Sequence, residues 1–79
     1  MWVKLYYANE DRQEFDRMGR IDNVTPEMFK AARVVARLDL SHDQPVVADL
    51  HDDKGDIIDV LVFSMQMRDR VVAALRPKH

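Results

Sequence analysis

The sequence predicts an α+β fold, in which a small antiparallel sheet is packed by two helices within one domain over residues 1–79. Three observations predict it. The chain opens with β-branched and aromatic residues, a helix with a capping threonine follows, and two aliphatic runs flank a turn sequence between residues 45 and 63. A chain of 79 residues has room for one domain of this kind.

Residues 2–8 predict the first strand, because β-branched and aromatic side chains favour an extended backbone. Alternation places Trp2, Lys4 and Tyr6 on one face of this strand. The opposite face carries Val3, Leu5 and Tyr7. Neither face is polar throughout, so we expect a strand that is covered on both sides or that presents aromatic side chains to a partner.

The segment from residue 9 to residue 21 is compatible with two structures. Asn9 can cap a short helix that ends before Gly19. The alternative is a second strand from about Glu14 to Ile21. We favour the short helix or an irregular turn, and the sequence leaves the choice open.

The clearest element is a central helix over about residues 26–38. Thr25 is a good N-cap, Pro26 fits the first helical position, and an acidic residue follows in the first turn. Apolar residues recur at helical spacing along one side, so we expect this side to be buried. The basic residues share the opposite side: Lys30, Arg33 and Arg37.

Residues 45–63 predict a β-hairpin. Two aliphatic runs, 46–51 and 57–63, flank Asp52-Asp53-Lys54-Gly55, whose glycine we expect at positive φ. The first run alternates, with Val46, Ala48 and Leu50 inward and with Asp49 and His51 outward. The second run is apolar on both faces apart from Asp59, which predicts an interior strand.

A final helix is predicted over about residues 65–76. Ser64 can cap it, and Pro77 stops it. The strand alternation also continues to Met67, so a strand that runs that far before the helix begins is an open alternative.

Composition excludes several classes of protein. The chain is 47% hydrophobic and 33% charged, which is typical of a folded globular protein and not of a disordered one. It has no cysteine, so disulfides and cysteine-based zinc sites are excluded. We find no apolar run of membrane-spanning length and no secretory signal, so we expect a cytoplasmic protein without membrane contact. Its small size predicts an efficient core or a homodimer.

Charge is distributed unevenly along the chain. Residues 41–63 carry six aspartates against Lys54 alone, whereas residues 64–79 carry four basic residues against Asp69. The chain therefore has an acidic middle and a basic end, and the acidic hairpin suits a basic partner.

Catalytic and cofactor motifs are missing from the sequence. Two glycines are too few for the Gly-rich loops that bind phosphate. Ser41-His42-Asp43 cannot act as a catalytic triad, because adjacent side chains do not let the base bridge nucleophile and acid. The aspartates also fail the calcium-loop spacing, since Lys54 and Val60 stand where Gly and Glu are required. We therefore expect no enzyme activity, no cofactor and no metal.

These exclusions favour a non-enzymatic protein-interaction module, such as a small inhibitor, accessory subunit or regulatory adaptor. A protein of this kind encoded by a phage or mobile element would fit the description. Its binding surface is predicted to combine the acidic hairpin with the aromatic N-terminal strand, because aromatic residues dominate interface hot spots. The expected partner-binding residues are Trp2, Tyr6, Asp49, His51, Asp52, Asp53 and Asp56.

Two alternatives stay open. A nucleic-acid-binding regulator would use Arg68, Arg70, Arg76 and Lys78. We disfavour it because the net charge is −2 and the acidic hairpin adjoins the basic helix. A small metal- or ligand-binding enzyme would be built around His51 and the neighbouring aspartates, since imidazole and carboxylate both bind divalent cations.

Overall fold

The computed structural model describes residues 1–8, 19–39 and 45–76, and it confirms the α+β fold. The sheet is four-stranded and antiparallel, with strand order β2-β1-β3-β4. In chain order the elements are β1 (Trp2–Tyr7), β2 (Arg20–Asp22), α1 (Pro26–Ala36), β3 (Pro45–His51), β4 (Ile57–Ser64), a 3₁₀ turn (Met65–Met67) and α2 (Arg68–Leu75).

Strand β3 lies in the interior of the sheet. Its Leu50 pairs with Val3 of β1 on one side and with Asp59 of β4 on the other. Every residue of β3 after Pro45 is buried. The predicted inward residues Val46, Ala48 and Leu50 do face the core, since all three are buried members of the apolar cluster.

One apolar core lies between the two helices and one face of the sheet. Aliphatic side chains of the strands meet the apolar sides of α1 and α2 there, as ridges on a helix pack on a pleated surface. Its most deeply buried members are Val3, Leu5, Val24, Phe29, Ala32, Val46, Ala48, Val71 and Leu75. Strands β1 and β3 and both helices therefore supply side chains to the same core.

Helix α1 begins where the sequence predicts. Thr25 has an extended backbone, with φ −99° and ψ 160°, and its hydroxyl accepts the Met28 amide at 3.2 Å. Pro26 occupies the first helical position. The helix ends at Ala36 rather than near residue 38, because the Leu38 amide bonds the carbonyl three residues back and so tightens the last turn.

The hairpin turn follows from two residues. Gly55 has φ +90°, which confirms the expected positive φ. Asp52 holds the turn from inside, since its carboxylate accepts the Lys54 amide at 2.9 Å and the Asp56 amide at 3.0 Å.

The interior position predicted for β4 is wrong. Within the described residues, β4 pairs with β3 alone and forms an edge of the sheet. Only Leu61, Phe63 and Ser64 of this strand are buried. The two-sided apolar pattern shows that both faces favour contact with other apolar groups, and it does not specify whether the same chain supplies them.

The ends of two predicted elements also differ from the structure. The chain leaves β4 at Ser64 through the 3₁₀ turn, so a strand continuing to Met67 is wrong. The Ser64 hydroxyl bonds Asp39 at 3.2 Å and does not cap α2. In the segment 9–21, β2 supports the strand alternative for its last residues, whereas residues 9–18 lie outside the described residues.

We predict that Thr25→Ala destabilises the protein by about 1 kcal/mol, because the first turn of α1 loses its side-chain acceptor. For a chain of this size the melting temperature should fall by about 4–8 °C in a thermal unfolding scan. Thr25→Asn keeps an acceptor at the same place and serves as the control. An equal fall in both variants would show that the cap does not stabilise the helix.

Candidate functional site

The residues predicted to bind a partner fall into two groups. Tyr6, Asp49 and His51 share the sheet face opposite the helices, but they are only 6%, 2% and 9% exposed. A partner cannot reach them without rearrangement of the fold. The accessible group lies at the hairpin end of the sheet: Trp2 and Asp52 are half-buried, and Asp53 and Asp56 are exposed.

Tyr6 and Asp49 form a buried polar contact between β1 and β3. The Tyr6 hydroxyl donates to the Asp49 carboxylate at 3.2 Å. A carboxylate removed from water is costly unless hydrogen bonds compensate it, and the tyrosine supplies one of them. The outward alternation of Asp49 thus marks the face away from the helices, and it does not mark exposure to water.

Trp2 is held in a stack at the same end of the sheet. Its ring lies on the His51 ring with centroids 3.8 Å apart and planes inclined by 2°. The Arg20 guanidinium lies 4.1 Å from the centre of the Trp2 ring and also pairs with Asp22 at 2.8 Å. These contacts cover much of the indole, so Trp2 has less surface available to a partner than a tryptophan of its size would otherwise have.

His51 is the residue around which a metal-binding alternative was expected. Its Nδ1 donates to the Gly55 carbonyl at 3.0 Å, so in the neutral ring Nε2 is an acceptor. That buried Nε2 has no hydrogen-bond partner among the described residues. Within the same part of the chain, no three His, Asp or Glu side chains are grouped so that they could hold a metal ion.

The basic residues of the nucleic-acid alternative do not share one side of α2. Arg68 is half-buried, whereas Arg70 and Arg76 are exposed. Residues two apart on a helix point to different sides, so Arg68 and Arg70 cannot line one strip of surface. Lys78 lies outside the described residues.

The surface that sequence reasoning missed is the outer side of β4. Four aliphatic side chains of this single strand are 44–57% exposed. We call them the β4 edge surface: Ile57, Ile58, Val60 and Val62. Alternation places Ile58, Val60 and Val62 on the face away from the helices. The pairing of β4 with β3 is irregular only at the start of β4, opposite Leu50 and His51. Scattered exposed apolar residues are ordinary, but three of these four share one face of a single edge strand.

Two side chains, those of Arg33 and Asp59, occupy backbone groups that another strand would otherwise bond at this edge. The Arg33 guanidinium of α1 pairs with the Asp59 carboxylate at 2.8 Å and donates to the Val60 carbonyl at 3.4 Å. The same carboxylate accepts the Val60 amide at 2.8 Å. Both backbone groups of Val60 are therefore bonded within the chain. We call this arrangement the Arg33–Asp59 clamp.

The clamp also fixes the orientation of the backbone along β4. Since the amide and carbonyl of Val60 point away from β3, antiparallel alternation points those of Val62 outward as well. Leu61 and Phe63 direct theirs towards β3. The backbone groups of Val62 thus point away from β3 beyond the clamp, and its side chain is the most exposed of the four aliphatic ones.

Comparison of the chain with protein-family models, curated proteins and solved structures finds no match. Neither described helix is long and apolar enough to cross a membrane. Inference about function therefore depends on the surfaces described above.

We predict that Asp59→Ala speeds hydrogen exchange of the Val60 amide by about three- to tenfold, because the amide loses an acceptor whose hydrogen bond is worth about 0.5–1.5 kcal/mol. Asp59→Asn retains an oxygen acceptor and should show a smaller change. Global stability should change by less than about 1 kcal/mol in both, as expected for an exposed ion pair. The measurement is amide exchange by NMR at a concentration that keeps the chain monomeric. Equal exchange in the two variants would contradict the clamp.

Proposed function

We propose that this protein is a non-enzymatic protein-binding module whose partner binds along the β4 edge surface. The observation that supports this most strongly is the exposure of four aliphatic side chains on one strand that forms the edge of the described sheet. Exposed sheet edges bind other strands readily, because their backbone groups are already extended and their side chains alternate in a fixed pattern.

Burial of the apolar patch supplies only part of the free energy that binding needs. Full burial of a valine or isoleucine gains about 1.5–3 kcal/mol, so covering four half-exposed side chains gains about 3–6 kcal/mol. Association itself costs about 4–15 kcal/mol in lost freedom. The apolar patch alone is therefore insufficient for stable binding. Backbone hydrogen bonds along the edge, or charges beside it, must contribute the rest.

Charges do lie beside the patch. The turn that precedes β4 carries Asp52, Asp53 and Asp56 against Lys54. A partner with basic residues next to an apolar extended segment would complement this arrangement. Such complementarity mainly speeds encounter and excludes wrong partners. Compared with the surface expected from sequence, the acidic turn is retained, and the aromatic strand contributes at most the accessible part of Trp2.

An inhibitor, an accessory subunit and a regulatory adaptor all act by binding a protein, and the β4 edge surface would serve each of them. The nucleic-acid alternative gains no support from the placement of Arg68 and Arg70 on different sides of α2.

We predict that Val62→Lys lowers protein binding by at least about tenfold, because it places a charge at the most exposed side chain of the apolar patch. The tagged chain is immobilised and challenged with lysate of the native host supplemented with untagged chain, and the retained proteins are quantified by mass spectrometry. Val34→Lys is the matched control, since Val34 is 64% exposed on α1. Recovery of no protein, host or untagged, or recovery that is equal for Val62→Lys and wild type, would overturn the proposed function.

A further inference from the structure

Two copies of a strand can pair only through backbone groups that point away from the rest of their own sheet. On β4 these include the groups of Val60 and Val62, and the Arg33–Asp59 clamp already bonds those of Val60. Facing residues of an antiparallel pair can exchange two N–H···O bonds. If Val62 of one copy faces Val62 of another, both bonds form across a two-fold axis and the central pair needs no opening of the clamp.

The same register brings apolar side chains together. A two-fold axis perpendicular to the sheet leaves equivalent faces on the same side, so the two Val62 side chains lie directly opposite each other. Val60 of each copy then lies on the same face, two residue pairs from the axis, opposite Ser64 and diagonal to Val62 of the other copy. A heterologous partner would need to carry this pattern independently, whereas a second copy carries it by symmetry.

Charges at the two ends of β4 favour the antiparallel direction. The turn before the strand carries three aspartates and one lysine, and the segment after it carries Arg68 and Arg70 with Asp69. Antiparallel pairing brings the acidic turn of one copy towards the basic segment of the other. Parallel pairing would instead place acidic turn beside acidic turn, which is unfavourable.

From these observations we infer that the partner of the β4 edge surface is a second copy of this chain, paired antiparallel through β4 about a two-fold axis at Val62. The inference depends on the proposed function, because it names the occupant of the same surface. The assembly closes at two copies. The other edge strand, β2, has three residues, of which Arg20 and Asp22 are exposed and charged, so it offers little for further strand pairing.

Charge substitution at Val62 tests the two-fold contact directly. Wild type should sediment as a dimer whose fraction rises with concentration. Val62→Lys and Val62→Asp should each be monomeric, because like charges would meet at the axis. An equimolar mixture of the two variants should dimerise at least about tenfold more tightly than either alone, since opposite charges then face each other. Only pairing of residue 62 with residue 62 makes this prediction.

Circular dichroism melting of each variant establishes that it folds, and Val34→Lys should dimerise like wild type. A wild type that stays monomeric at every concentration, dimers that persist in both Val62 variants, or a mixture that gains nothing would each overturn the inference. If wild type is monomeric but retains host proteins and Val62→Lys does not, only the inference of self-pairing is overturned. If wild type is monomeric and both it and Val62→Lys retain host proteins equally, the self-pairing and the proposed function are both overturned.

Discussion

The pairing of β3 on both of its sides is the constraint from which the rest of the structure follows. Because β3 bonds β1 on one side and β4 on the other, it lies in the interior of the sheet, and its Val46, Ala48 and Leu50 belong to the core that both helices cover. The same pairing leaves β4 at an edge of the described sheet. An interior strand rich in aliphatic residues is ordinary, but an edge strand of that composition favours further association.

Much of this fold can be predicted from patterns of neighbouring residues. Thr25 followed by Pro26 defines the start of a helix, and Asp52 with Gly55 defines a turn, through interactions that span a few residues. The order of strands depends instead on contacts between distant segments. The aliphatic pattern of β4 does not distinguish a strand with two neighbours from a strand with one, so this pattern could not predict the edge position.

The candidate site was predictable only in part, for a related reason. Alternation correctly assigns Asp49 to the face away from the helices, yet whether that face is exposed to solvent depends on the rest of the tertiary structure. The clamp joins Arg33 to Asp59, which are 26 residues apart. One signal was available: Asp59 is the single charge in an aliphatic run, and an isolated charge on such a strand is typical of protected sheet edges.

Together these features describe a sheet edge at which the backbone groups of Val60 are bonded within the chain and Val62 presents an exposed apolar side chain. The most direct measurement is amide exchange of residues 61–63 as a function of protein concentration. We expect Leu61 and Phe63 to exchange slowly at all concentrations because they bond β3, and Val62 to exchange fast when dilute and slowly when concentrated. Slow exchange of Val62 at every dilution would contradict the account, because this amide would then be paired within a single chain.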